Sequence, residues 1–211
     1  MNIKEAIEIL SEANELHLEL GKKMSEAYQG AIYHMDLFAA AVLNRSLYLI
    51  EGFSKLVLDR NYISAVPLLR LQLDNALRFH AAWLVDDPHQ FVIDVMAGKQ
   101  IKNIKDSHGN KMTDAYLVSK LSEEYDWIDK VYKKGSGYIH LSESHIFNAV
   151  HQDERERTII VKIGRGKIPV SDDMFLDLIG AFIETTKVVL KYVNSWVYTK
   201  NHPEVTTKGK K

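Results

Sequence analysis

Apolar and polar residues alternate with a helical period along most of the chain. Between residues 3 and 29, apolar positions recur at alternating spacings of three and four residues, which is typical of a helix packed lengthwise in a core or at a dimer seam. The run Leu37–Leu43 is apolar on every side and predicts deep burial. The period and the cap residues predict helices over residues 3–29, 31–59, 64–84, 89–97, 113–133, 138–150 and 171–198.

One segment departs from the helical period. Residues 158–163 are rich in β-branched types, Gly164–Gly166 supplies a turn, and residues 167–170 return to an apolar pattern, which predicts a short β-hairpin. Residues 98–112 form the most polar internal stretch and are predicted to be an exposed basic loop. The predicted fold class is mainly α: a helical bundle of about six to seven helices with one short β-hairpin near residues 157–170.

The chain is expected to form one main domain. Its 211 residues suffice to bury a core without a disulfide or a metal, and no linker divides it. We predict a single helical-bundle domain over residues 1–200. Residues 201–211 contain three lysines and are predicted to be a disordered basic tail.

Composition and charge narrow the classes of function. The chain has no cysteine, which excludes a thiol nucleophile, Cys-based zinc sites and iron–sulfur clusters. With 27 basic and 28 acidic residues, no strong overall field favours nucleic acid or a membrane surface. The first thirty residues carry a row of glutamates, and the longest apolar run in the first fifty spans seven residues. We therefore expect a soluble, cytoplasmic protein with no signal peptide and no membrane segment.

The third predicted helix carries a row of charges on an otherwise apolar surface. Its apolar residues cover almost the whole circumference, as expected of a central helix. Arg70, Asp74 and Arg78 follow at a spacing of four residues, so they share one face and are the ligand-binding candidates. Buried charges must be paired or must line a polar cavity. The row is either a set of ion pairs that joins helices or a recessed pocket in which Arg70 binds a phosphate or carboxylate.

The sixth predicted helix places three polar side chains on one face. With Tyr138 at zero, Ser142 lies at about 40° and His145 at about −20° around the helix axis. Two hydroxyls and an imidazole in one row can form a general acid–base set, or they can form a hydrogen-bonded contact between helices. His145, Tyr138 and Ser142 are therefore the catalytic candidates.

No metal site and no cofactor are predicted. His140 and His145 are five residues apart, about 140° around a helix, so they cannot bind one ion together. The segment Gly164–Lys167 lacks the spacing of a phosphate-binding loop.

Two segments together resemble a family of uncharacterised bacterial all-helical proteins. Ser64–Phe79 is similar to the central helix of that family. Tyr138–Ser142 followed by His145 is similar to its Tyr-x-x-Leu-Ser-x-x-x-His signature, with two residues instead of three between Ser142 and His145. The resemblance covers roughly residues 35–150 and implies an all-helical fold. Some bundles of this kind belong to the HEPN class, which includes metal-independent RNases of toxin and phage-defence systems.

The HEPN ribonuclease motif is an arginine followed, after four to six residues, by a histidine. Nine residues separate Arg70 from His80, and one separates Arg78 from His80. No other arginine has a histidine at the required distance. The motif is thus absent as a local run, and a nuclease site would need Arg70 and His145 to meet in space.

Three hypotheses for the function follow. The first is a binding module, expected to be a homodimer, whose pocket holds a small anionic or nucleotide-like ligand. The second is an RNase or phosphodiesterase with His145 as general acid or base, Arg70 on the phosphate, and Tyr138 or Ser142 as the orienting group; its partner would be nucleic acid. The third is a purely structural helical protein whose polar residues fix the helix register.

Overall fold

A bundle of α-helices and one pair of short strands make up the described part of the chain. The computed structural model describes residues 1–140, 142–153, 158–161, 163 and 170–204. The helices are α1 (Ile3–Glu26), α2 (His34–Leu58), α3 (Tyr62–Ala81), α4 (Pro88–Met96), α5 (Asp114–Ser122), α6 (Ile128–Ile139), α7 (Glu143–Ala149) and α8 (Asp172–Asn201). The strands are β1 (Val150–Asp153) and β2 (Thr158–Val161). The prediction of a mainly α bundle is confirmed.

The third helix lies at the centre of the bundle. It packs against α2, α5, α6 and α8, which confirms the central helix predicted from its apolar circumference. The helix begins two residues before the predicted start, because the side chain of Asn61 accepts a hydrogen bond from the backbone N–H of Ser64 at 3.3 Å and caps the first turn.

Buried apolar residues hold the helices together in two clusters. In one of them, the rings of Phe53 on α2 and Phe182 on α8 stack at a centroid distance of 4.1 Å. The apolar stripe of α1, including Leu10 and Leu20, is buried because α1 packs against α2 and α8. The stripe is therefore part of the chain's own core.

The apolar run of α2 is only partly buried. Leu37 is 47 % exposed, and Ala40 and Ala41 are exposed as well. The prediction of deep burial for Leu37–Leu43 is therefore wrong for one face. The helices that contact α2 in the described part of the chain, namely α1, α3, α4 and α8, leave that face uncovered.

The segment over residues 98–112 is not a simple exposed loop. Its lysines are exposed as predicted, but Ile104, Asp106 and Met112 are buried. The backbone N–H of Ser107 donates to the carbonyl oxygen of Leu84 at 2.9 Å, which ties the segment to the chain just after α3.

The region after residue 112 is divided differently from the prediction. Residues 113–133 form two helices, α5 and α6, rather than one. The predicted turn at Gly135–Gly137 lies inside α6, and the next helix begins at Glu143. Gly135 is required by packing rather than by a turn, since a Cβ at this position would lie 2.9 Å from Cβ of Arg70 on α3.

The predicted hairpin has a different partner strand. β2 falls within the predicted strand and pairs antiparallel with β1, so that Val150 lies opposite Val161. The predicted turn and residues 167–169 of the predicted returning strand lie outside the described residues, and Val170, the last residue of that strand, is buried but not in a strand. The pairing of residues 167–169 therefore stays a prediction.

A buried ion pair joins the end of α8 to the start of α2. Nζ of Lys200 lies 3.0 Å from Oδ2 of Asp36, and the two side chains are 1 % and 8 % exposed. Lys200 also donates to the backbone carbonyl of Met24 at 2.8 Å, and Nε1 of Trp196 donates to Oδ1 of Asp36 at 2.7 Å. The end of α8 is thus fixed to the junction between α1 and α2.

The tail predicted from residue 201 begins too early, because Asn201 is the last residue of α8 and its Oδ1 accepts from the backbone N–H of Tyr28 at 2.8 Å. Residues 205–211 lie outside the described residues, so their disorder stays a prediction, as does the single domain over residues 1–200. In the part of the chain that the structure describes, no helix combines the length and the apolar character needed to cross a membrane.

A chain of buried polar side chains crosses the core between α1, α2 and α3. Nδ1 of His17 lies 2.6 Å from the carbonyl oxygen of Ala13, and Nε2 lies 2.8 Å from Oγ of Ser46. Nε2 of Gln72 donates to the same Oγ at 2.6 Å, and Nδ2 of Asn75 donates to Oε1 of Gln72 at 3.0 Å. Because a carbonyl oxygen only accepts, Nδ1 carries the proton of His17 and Nε2 accepts from Ser46.

Acid is expected to destabilise the fold between pH 7 and pH 5. Burial lowers the pKa of His17 and of His80 below the usual value near 6.5. The unfolded chain therefore binds more protons below about pH 6.5. The stability that the neutral imidazoles contribute is present above that pH and is lost as the pH falls through the folded pKa. The free energy of unfolding from urea titrations at pH 7.5 and pH 5 measures this loss.

The variant His17→Gln keeps a hydrogen-bonding side chain that does not titrate, so its free energy of unfolding should change less between the two pH values. The exposed His34 is the matched control, and His34→Gln should show the wild-type change. An equal change in both variants would contradict the assignment to His17.

Candidate functional site

The predicted row on α3 belongs to a larger group of charges. We name it the arginine cluster, and its members are Arg45, Arg70, Asp74, Arg78 and Asp114. Oδ1 of Asp74 accepts from Nε of Arg78 at 3.0 Å, and Oδ2 accepts from Nη1 of Arg45 at 3.0 Å. Asp114 accepts from Nη2 of Arg70 at 3.1 Å and also accepts from Nη2 of Arg78. Side chains from α2, α3 and α5 thus meet at one place.

The arginine cluster runs from a buried end to an exposed end. The side chain of Arg70 is 8 % exposed, whereas that of Arg45 is 42 % exposed. The guanidinium of Arg70 lies 4.2 Å from the ring centroid of Tyr132 on α6, a cation–π contact. Its Nε is buried and has no hydrogen-bond partner among the described residues.

Positive charge exceeds negative charge in the arginine cluster by one, since three guanidinium groups face two carboxylates. Burial opposes the charge of Arg78, but the nearby Asp74 and Asp114 outweigh it and raise the pKa of Arg78. Arg78 therefore stays protonated, and the excess charge lies in a half-buried place where water screens it less than at an open surface.

The Tyr138 and His145 side chains lie near each other, but not on one helix face, and the Ser142 hydroxyl bonds to backbone instead. The helix predicted to carry them is interrupted, because α6 ends at Ile139 and Ser142 precedes α7 as its N-cap. The rings of Tyr138 and His145 are 5.6 Å apart between centroids. The backbone N–H of Ser142 donates to Nδ1 of His145 at 3.5 Å, a long hydrogen bond, and its hydroxyl donates to the carbonyl of Gly137 at 2.6 Å.

The two predicted sets of residues contact different parts of α3. Tyr138 lies against the ring of Tyr62 at a centroid distance of 5.9 Å, while Gly135 lies against Arg70. Tyr62 and Arg70 are eight residues apart, which is about 12 Å along a helix. The contacts described for Arg70 and those described for His145 therefore share no residue. The RNase hypothesis requires these two side chains at one phosphate, and the described contacts do not support that arrangement.

Two residues of the arginine cluster could not be predicted from the sequence. Arg45 and Asp114 come from other helices, 29 and 36–44 residues away from their partners on α3. The sequence gives one local signal at Asp114, namely a carboxylate in the first turn after the N-cap residue Thr113, where negative charge is favourable. That signal predicts a helix start and says nothing of the arginines opposite it.

Among the residues that the structure describes, no group of three His, Asp or Glu side chains is placed to hold a metal ion. Comparisons with protein-family models, with curated proteins and with solved structures return no match for this chain. The resemblance to a bacterial all-helical family and to the HEPN class stays a prediction.

Proposed function

We propose that the protein is a binding module that holds a small oxyanion, such as a phosphate or carboxylate group of a small ligand, at the arginine cluster. The observation that carries this proposal is the excess of guanidinium groups over carboxylates in a half-buried place. Paired arginines bind phosphate and carboxylate groups through two parallel hydrogen bonds.

The guanidinium groups of the arginine cluster have N–H donors that the described hydrogen bonds do not use. Each guanidinium has five N–H groups, and the hydrogen bonds to Asp74, Asp114 and Asn75 use a minority of them. Arg45 and Arg78 are 42 % and 23 % exposed, so a ligand reaches them from solvent. Arg70 lies deeper and shares Asp114 with Arg78.

Asp114 acts as the internal competitor of the ligand. Its carboxylate bridges Arg70 and Arg78 as a bound phosphate would, and its side chain is 36 % exposed at the start of the nine-residue helix α5. An incoming oxyanion that is better matched to the two guanidinium groups takes over these hydrogen bonds. The structural hypothesis differs here, because it requires Asp114 as a permanent partner.

Phosphate binding is expected to respond in opposite directions to two substitutions. Asp114→Asn removes the competing charge and should tighten binding of inorganic phosphate or pyrophosphate about tenfold. Arg78→Lys keeps the charge but loses the planar pair of donors, and it should weaken binding about tenfold, since a hydrogen bond to a charged group contributes about 1.5–3 kcal/mol. Isothermal titration at constant ionic strength measures both effects.

Arg60 supplies the matched control for these variants. It is 48 % exposed and pairs with Asp172 at 2.5 Å, outside the arginine cluster, so Arg60→Gln should leave phosphate binding unchanged. Equal weakening in Arg60→Gln and Arg78→Lys would show that phosphate responds only to the overall surface charge. Weaker binding in Asp114→Asn would favour the structural hypothesis.

The homodimer and the cytoplasmic location stay part of the proposal. The apolar stripe of α1 that motivated a dimer seam is buried within the chain, so a dimer needs a different surface. Analytical ultracentrifugation of the full chain measures the oligomeric state directly.

A further inference from the structure

A cleft of about 560 Å³ opens beside the end of α3, and its location differs from that of the arginine cluster. The lining residues used below are His80, Trp83, Asp106, Tyr116, Lys120 and Glu123. This volume falls in the range of clefts that hold small molecules. Arg78 and His80 are two residues apart on α3, about 200° around the axis, so the cleft and the arginine cluster occupy different sides of this helix.

One wall of the cleft is held in place by Asp106. Its Oδ1 accepts from the backbone N–H groups of His108 at 3.0 Å and Asn110 at 2.7 Å, and the hydroxyl of Tyr116 donates to Oδ2. Burial opposes the charge of Asp106, yet these hydrogen bonds lower its pKa to about 2. Asp106 is therefore an ionised carboxylate whose acceptors are occupied, and it positions Tyr116 rather than a ligand.

His80 is the polar group of the cleft that the fold leaves unused. Both of its ring nitrogens are buried, and neither has a hydrogen-bond partner among the described residues. Its ring packs edge-on against Tyr192 at a centroid distance of 5.1 Å, which fixes its plane. Burial lowers the pKa of His80, so the imidazole is neutral at pH 7 and presents one donor and one acceptor.

The remaining lining groups decide the charge and shape of the ligand. Lys120 is paired with Glu123 at 2.8 Å, so the cleft offers no uncompensated positive charge to an anion. Trp83 is 37 % exposed, and Tyr116 is partly buried; both line the cleft with aromatic surface on which a flat ring stacks.

We propose that this cleft is a second binding site, for a small, neutral, planar heterocycle of nucleobase type. Its ring lies against Trp83 or Tyr116, and its edge hydrogen-bonds to His80 after a side-chain shift that uncovers one of the buried ring nitrogens. The size of the cleft, its aromatic lining and the unused imidazole point to the same class of ligand. An oxyanion does not fit this description, so the site is independent of the arginine cluster.

The test uses adenosine, guanosine, cytidine and uridine as probes, with ribose as the control ligand, in isothermal titrations of the full chain. At least one nucleoside is expected to bind wild type with a saturable isotherm, while ribose does not. His80→Phe keeps the ring but removes both nitrogens and should weaken that binding at least tenfold. Trp83→Leu, at a partly exposed position, should weaken nucleoside binding severalfold. It serves as the second variant if His80→Phe does not fold.

The matched control is His89→Phe. His89 lies on α4, and its ring packs between Tyr33 and Trp196, outside the cleft, so nucleoside binding should stay at the wild-type level. Arg78→Lys should leave nucleoside binding unchanged as well, which separates this proposal from the one for phosphate. Failure of all four nucleosides to bind, or equal affinity in wild type, His80→Phe and Trp83→Leu, would overturn the proposal.

Discussion

Asp36→Asn is expected to lower the free energy of unfolding by about 3–5 kcal/mol, because removing one partner of a buried ion pair leaves the other charge without compensation. Lys200 is 1 % exposed, so water does not replace the lost carboxylate. The asparagine oxygen can still accept from Trp196, so the loss comes from the lysine. Urea unfolding followed by tryptophan fluorescence measures the change.

An exposed ion pair provides the comparison for Asp36. Glu184 and Lys187 form one at 2.8 Å with side chains 55 % and 65 % exposed, so Glu184→Gln should cost less than about 1 kcal/mol. The double variant Asp36→Asn/Lys200→Met should lose less stability than the sum of its single variants. If Asp36→Asn behaves like Glu184→Gln, Lys200 is not held by this carboxylate.

Gln72→Leu is expected to lower the free energy of unfolding by about 3–5 kcal/mol. Gln72 is fully buried and joins three side chains: it donates to Ser46 at 2.6 Å and to Thr186 at 3.0 Å, and it accepts from Asn75 at 3.0 Å. Leucine has a similar size but leaves the Asn75 amide unpaired, and a buried unpaired donor costs about 1–3 kcal/mol. The two lost hydrogen bonds add about 1 kcal/mol each. Thermal and urea unfolding together measure the loss.

Gln90 is the matched control, because it is exposed on α4 and donates to Asp94 at 3.0 Å. Gln90→Leu should change the free energy of unfolding by no more than about 0.5 kcal/mol. A Gln72→Leu protein as stable as wild type would mean that Asn75 finds another partner in the core.

The spacing of residues within one helix predicted the features that depend on that helix alone. The spacing of Arg70, Asp74 and Arg78 placed them on one face of a central helix, and the structure has them there. Their partners Arg45 and Asp114 lie far along the chain, and only the packing of α2 and α5 against α3 brings them near. Spacing within one helix carries no information about which distant side chain packs against it.

Errors arose where a local preference competed with packing. Leu37–Leu43 is apolar enough for a core, but the described neighbours of α2 cover only part of its circumference. Gly135 suggested a turn, yet its lack of a Cβ permits the close approach of α6 to Arg70. Ser142 interrupts the predicted helix because serine is a good N-cap, a preference visible in the sequence that the helical period concealed.

The cleft was missed for a related reason. The turn at residues 106–110 has Asp at its start and Gly at its fourth position, a sequence typical of tight turns. Its polar composition indicated an exposed loop. The hydrogen bonds from His108 and Asn110 to Asp106 close the turn. The bonds from Ser107 to Leu84 and from Tyr116 to Asp106 hold it against the bundle, where it forms one side of a cleft with His80 from α3.

The contact between Lys200 and the carbonyl of Met24 joins residues 176 positions apart in the chain, and α8 packs along α1 as well. During synthesis, α1 emerges before α8, and α2 alone covers only part of its apolar stripe until α8 is made. Long-range contacts of this kind slow folding, and the waiting chain exposes apolar surface that chaperones recognise. A chain that ends before α8 should therefore collect with chaperones or aggregate, rather than accumulate as a smaller folded bundle.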